Sequence, residues 1–219
     1  MSASEIPYSI RRSDRARRVR VTVGAEAGVQ VVLPRRAAAR EADAAVRELR
    51  PWIERRLAEL QRAQAELAGP AGSVAYLDEL LTLVPQAGRT RAHRRGNEVL
   101  VPAGDHRPAL ERWYRRRARA EIGPRLDRAC AAAGTTYPRL TIRGQRTRWA
   151  SCAADGSMSF NWRLLLAPSA VLEAVVWHEV CHLEIRDHSP GFWALLESRC
   201  ADYPEHQRWL RRYGGALVL

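Results

Sequence analysis

Apolar and polar residues alternate over residues 19–23, where Val19, Val21 and Val23 bracket Arg20 and Thr22. After the Gly28 turn a second apolar run covers residues 29–33. A period of two marks a half-buried strand, so the two segments predict a hairpin, closed by Pro34. Between residues 37 and 67 the period changes. Ala45, Leu49, Trp52, Ile53, Leu57 and Leu60 recur at helical spacing, and Pro51, which lacks a backbone N–H, predicts two helices or one kinked helix.

The Gly69-Pro70-Ala71-Gly72 cluster predicts a turn or short linker. Residues 74–77, 80–84 and 98–101 follow as short strands, with residues 89–95 as an exposed basic loop between two of them. Helical periodicity returns over residues 108–133, with an interruption expected at Gly123-Pro124, and a strand is expected over residues 139–143. Residues 148–152 and 157–161 form a second predicted hairpin around the Asp155-Gly156 turn. Pro168-Ser169 then opens a strongly apolar helix through Leu172, Val175, Val176, Val180 and Leu183, with Ser169 as its expected N-cap. Ser189-Pro190 starts the next helix with the cap residue and first-turn proline in the favoured order.

The apolar helix carries the sequence's chemistry. It contains Trp177-His178-Glu179-Val180-Cys181-His182, an H-E-x-x-H motif. Four residues on a helix turn about 400°, so the two imidazoles share one face and can reach a single Zn²⁺ at about 2.0–2.1 Å. Glu179 is turned by about 100°, which lets it act on a water at the metal without ligating it. Polar side chains on an otherwise hydrophobic helix are costly unless something satisfies them, and a metal does so. A catalytic zinc needs a third protein ligand. His188, six residues after His182, is the leading candidate because the intervening chain can end the helix and turn back. A carboxylate from the following helices, Glu197 or Glu205, competes with it. Ile185 in place of a glycine and the lack of any methionine after Met158 exclude a metzincin.

Composition adds two bounds. The 219-residue chain is 46% hydrophobic and 27% charged, an ordinary globular balance, with a net charge of +12 carried by arginine alone. That surplus favours polyanions. The best patches are residues 11–20 and Arg115, Arg116, Arg117 and Arg119, with Tyr8, Trp113 and Tyr114 near enough in sequence to stack on bases. No apolar run is long enough to cross a membrane and residues 1–13 lack a secretory core, so a cytoplasmic protein with no membrane contact is expected. The four cysteines include no C-x-x-C pair and are expected to be free thiols.

Arg148-Trp149-Ala150-Ser151-Cys152, then Asn161-Trp162-Arg163-Leu164 and Pro168, then His178-Glu179-x-x-His182-Leu183 and His188-Ser189-Pro190-x-Phe192-Trp193, resemble the YgjP-like metallopeptidases, relatives of the WLM and SprT-like proteases among the zincins. Order and spacing match over residues 143–193. Ala150 departs from the glycine usual in the family. The resemblance implies a zincin-like α+β fold, zinc held by His178, His182 and His188, and Glu179 as general base. It supplies no settled substrate: a protein or peptide is expected, while the family's link to nucleotide pyrophosphate hydrolysis gives a nucleoside triphosphate pyrophosphohydrolase as the alternative. A nucleic-acid-binding module with structural zinc is a third reading. SprT-like and WLM relatives act on DNA-bound proteins, which the basic charge suits.

The fold expected is therefore α+β, with an N-terminal β-rich portion with a helical segment over residues 1–105. A C-terminal zincin-like catalytic portion over residues 106–219 follows, the two forming one compact body. Arg148 and Asn161 are candidate substrate contacts, and Arg146 or Arg148 a candidate oxyanion or phosphate ligand. Phe160, Trp149 and Trp162 are expected to pack under the metal helix, and residues 157–161 to offer a strand edge for an extended peptide.

Overall fold

The computed structural model describes residues 6–145 and 148–219, and Arg146 lies outside the described residues. The chain divides into two compact units, residues 1–68 with 212–218, and residues 69–211 with 219. The division falls at the Gly69-Pro70 turn, whereas the sequence pattern suggests a boundary at 105/106.

The first unit holds β1 (Tyr8–Ser13), β2 (Arg20–Gly24) and β3 (Gly28–Pro34) in the order β1-β3-β2, with β2 and β3 antiparallel and β1 parallel to β3. Val21, Val29, Val31 and Leu33 pack against Ala42, Val46 and Ile53 of α1 (Arg40–Glu48) and α2 (Arg50–Leu67). Pro51 sits in the first turn of α2, where its missing N–H has no partner to lose, so it separates two helices. In the same unit Glu66 accepts from Arg212 Nη2 at 2.8 Å and from the Tyr213 hydroxyl at 2.6 Å.

The second unit begins with β4 (Ser73–Tyr76), β5 (Glu79–Gln86), β6 (His93–Arg95) and β7 (Glu98–Pro102), ordered β4-β5-β7-β6. The segment expected as a basic loop thus supplies a short strand, β6. This sheet is tied to α3 (Arg107–Ala132). The Tyr76 ring lies 5.4 Å from that of Trp113, its hydroxyl donates to Glu121 Oε1 at 2.8 Å, and the Tyr114 hydroxyl donates to the Ala75 carbonyl. Those buried aromatic contacts place β4–β7 with α3, not with the strands before Gly69. Helix α3 runs unbroken through Pro124, contrary to the expected interruption, and Ile122 and Leu126 are fully buried on either side of the proline.

A third sheet, β8 (Leu140–Arg143), β9 (Ala150–Cys152) and β10 (Met158–Asn161), has the order β8-β10-β9. Strand β10 is central, paired parallel to β8 and antiparallel to β9, so it offers no free edge to a peptide. The open edges belong to β8 and β9. Helices α4 (Ser169–Cys181), α5 (Pro190–Arg199) and α6 (Tyr203–Tyr213) complete the chain's regular elements. Ser169 is the first residue of α4 and not its N-cap. The helix start is capped instead by Asp78, whose carboxylate accepts from the Ser169 backbone N–H at 3.0 Å and from its hydroxyl. No helix among the described residues is long and apolar enough to cross a membrane.

Candidate metal centre and catalytic cleft

Helix α4 is held by its apolar residues. Val171, Leu172, Val176 and Val180 are buried at 1% exposure or less, which fixes the rotation of the helix and hence the direction of His178 and Glu179 in its last turn. His182 is the C-cap. The chain then folds back tightly, with Ile185 N–H donating to the Cys181 carbonyl at 2.9 Å, and His188 returns to the face of α4. His188 Nε2 lies 3.1 Å from His178 Nε2. Each of the three histidines offers a ring nitrogen, and these nitrogens all lie within 4.8 Å of one another. Two nitrogens bonded tetrahedrally at about 2.0–2.1 Å would be roughly 3.3 Å apart, so the spacing suits a shared ion. Glu197 and Glu205 do not join this group, and both are exposed.

The outward nitrogens are also committed. His182 Nδ1 sits 3.0 Å from the Ile185 carbonyl, an acceptor only, so Nδ1 carries the proton and Nε2 keeps its lone pair for a ligand. His178 Nδ1 sits 3.1 Å from the Tyr203 hydroxyl, which in turn accepts from Gln207 Nε2 at 3.0 Å. Each imidazole stacks on a different ring. His178 lies on Tyr203, His182 on Phe192 and His188 on Trp193, with centroids 5.6, 4.5 and 5.3 Å apart. Burial, then the neighbouring His182 and His188, hold the His178 imidazole down to about 4, so it is neutral near pH 7 and available as a ligand.

Glu179 is 5% exposed. Burial pushes its carboxyl up to about 8, against the opposing effects of a hydrogen bond from the Cys152 backbone N–H and the positive charge of Arg148. Strand β9 therefore supplies the donor that fixes this carboxylate. Beside it opens a cavity of about 380 Å³, lined in part by Arg148, Trp149, His178, Glu179 and Tyr203.

The other expected residues separate. Arg148 lines the cavity, but Asn161 is 3% exposed and turned inward. Its Nδ2 donates to the Gln145 carbonyl at 2.6 Å and the Arg148 carbonyl at 3.3 Å, and its Oδ1 accepts from the Arg163 N–H at 3.1 Å. It holds the chain ahead of β9 and starts the 3₁₀ turn Trp162–Leu166. Phe160 and Trp162 are buried, as expected, while Trp149 faces the cavity. Trp113 and Tyr114 are 4% and 0% exposed and cannot stack on a base. Arg115 and Arg117 pair with Glu111 and Glu121, and Arg119 donates to the Leu140 carbonyl, which uses up much of that basic stretch within the fold. The sequence reading missed Tyr203, Gln207 and the Cys152 N–H. Tyr203 is 25 residues from His178, and no local pattern links them.

The model of the YgjP-like, metallopeptidase domain family matches residues 17–213, most of the chain. The chain belongs to this family. As a YgjP-like metallopeptidase domain it is a metal-dependent hydrolase, and its three clustered histidines can hold the divalent ion such chemistry uses. A crystal structure of the metallopeptidase zymogen of Pyrococcus abyssi abylysin is similar at 20% identity and a TM-score of 0.38, covering 42% of this YgjP-like chain and 95% of the abylysin chain. No curated protein matches.

Proposed function

We propose that the chain is a zinc peptidase of zincin type, in which His178, His182 and His188 hold the ion and Glu179 is the general base. The observation that carries this is the convergence of three ring nitrogens within 4.8 Å beside a buried carboxylate. The donor set fits zinc. Three imidazole nitrogens suit a borderline-soft ion, and three protein ligands leave a fourth position open, as catalytic zinc requires.

A zinc held by His178, His182 and His188 would supply Lewis acidity toward a scissile carbonyl and an attacking water. Glu179 takes the proton of the attacking water on its carboxylate. The same carboxyl, its proton affinity raised by burial, then gives that proton to the leaving amine. The Cys152 N–H keeps the carboxylate aimed, the Ile185 carbonyl keeps His182 in the tautomer that binds, and the Tyr203 hydroxyl partners the outward nitrogen of His178.

Elemental analysis of stripped and reloaded protein should find about one zinc per chain. Glu179→Gln should retain that zinc while hydrolysis of a peptide falls about 10²- to 10⁴-fold. Zinc absent from the reloaded protein overturns the metal assignment, and full activity in Glu179→Gln overturns the role of the base.

A further inference from the structure

The cavity beside Glu179 has a wall of unusual composition. Tyr203, His206, Gln207, Leu210 and Arg211 of α6 all line it. They recur at i, i+3, i+4, i+7 and i+8, so one face of the helix is turned to the space. A stripe that packs on a core is apolar. This one is polar at four of its five positions and contains no fully buried residue. The face is built to meet something hydrated or charged.

Away from Glu179 the fixed charge around the cavity is positive. Arg148 and Arg211 line it, and Glu179 is the only carboxylate among its lining residues. Among the described residues neither arginine has a carboxylate within ion-pair distance. Arg211 is also oriented, with Nη2 donating to Gln207 Oε1 at 2.9 Å. Trp149, Val175 and Leu210 give the lining its apolar part. A space of about 380 Å³ holds a side chain or small ligand and not a folded domain.

We infer that this cleft selects peptides bearing a carboxylate next to the scissile bond, bound by Arg148 and Arg211 with the aliphatic part of the residue against Trp149 and Leu210. Guanidinium groups match a carboxylate with two parallel hydrogen bonds, and the unpaired cations beside the base leave that acceptor to the substrate. The inference rests on the peptidase reading above. The carboxylate belongs either to an acidic side chain or to the peptide's own C-terminus.

The test uses the zinc-loaded full chain and quenched fluorescent peptides that differ only in Glu, Gln or Lys flanking the cleaved bond, each as free acid and as C-terminal amide. The Glu peptide should be cut with kcat/KM at least tenfold above the Gln peptide. Loss of that preference on amidation would assign the site to the C-terminal carboxylate, and its persistence to the side chain. Arg211→Glu should invert the order and favour the Lys peptide, a gain that a merely damaged protein does not show. Equal rates for Glu, Gln and Lys peptides overturn the inference and leave the peptidase standing. Failure to cut any peptide, by protein shown to carry zinc, overturns both, and cleavage of a nucleoside triphosphate by the same sample would then name the replacement.

Discussion

The hydroxyl of Tyr203 lies 3.1 Å from Nδ1 of His178, and the two rings stack with planes 19° apart. One aromatic side chain thereby sets the tilt of an imidazole 25 residues away and partners its outward nitrogen. Tyr203→Phe keeps the stack and removes the hydrogen bond. Zinc affinity, measured by competition with a chelator, should fall about 10- to 100-fold, the usual effect of losing a partner behind a metal ligand. An unchanged affinity would reduce Tyr203 to a packing residue.

Phe192 and Trp193 test the same idea from the other two histidines. Phe192 is fully buried, and Phe192→Ala should cost about 3–5 kcal/mol in urea unfolding. Trp193 is 39% exposed, so Trp193→Ala should leave stability within about 1 kcal/mol while loosening His188. Zinc binding should weaken in both, and the separation of stability from affinity in the second variant is the informative result.

Asn161→Ala removes an amide whose three hydrogen bonds are all to backbone groups. Each buried group left without its partner costs about 1–3 kcal/mol, so the melting temperature should drop clearly. A raised KM with an unchanged melting temperature would instead make Asn161 the substrate contact that its sequence position suggests.

Asp78→Ala should cost about 0.5–2 kcal/mol by uncapping α4. Leu77, with φ of 55°, belongs to the turn between β4 and β5 that brings Asp78 to this helix, so Asp78→Asn should recover most of the loss. Thermal unfolding of the two variants side by side reads the difference.

Glu121 links stability to acid. Burial raises its carboxyl, but hydrogen bonds from Arg125 and Tyr76, with the charges of Arg125 and Arg117, outweigh burial and hold it below the usual carboxylate value. A folded-state value below the unfolded one means the contribution is fully present above about pH 4.5 and is lost as pH falls through the lowered value. Glu121→Gln should therefore flatten the acid limb of the stability curve below about pH 4.5, as followed by urea midpoints at successive pH values.

What was legible of the candidate site was its local part. Helical period alone puts His178 and His182 on one face, and the short return after the helix brings His188 back to them. The hairpin of β2 and β3 and the helix pair around Pro51 were legible for the same reason, since neighbours in the chain set their pattern. Strand β1 was not, because Ile10, Arg11 and Arg12 are all exposed and carry no alternation. The central place of β10 depends on β8, fifteen or more residues earlier, and no periodicity within β10 reports it. Pro124 signals a break in any helix read in isolation, and only the burial of Ile122 and Leu126 decides against it. Tyr203 and the Cys152 N–H reach the site through tertiary packing, which a linear pattern does not encode.

The open edge of β9 has a consequence for how this centre is divided. All three imidazoles and the rings behind them come from a stretch of twenty-six residues, 178–203, so the proposed grip on an ion would be a short-range affair of the chain. The tether on Glu179 comes from a different strand, and that same strand's Ala150 borders the cleft. A disturbance of β9 would leave a competent metal binder with an untethered base, a protein that still fills with ion and no longer turns over.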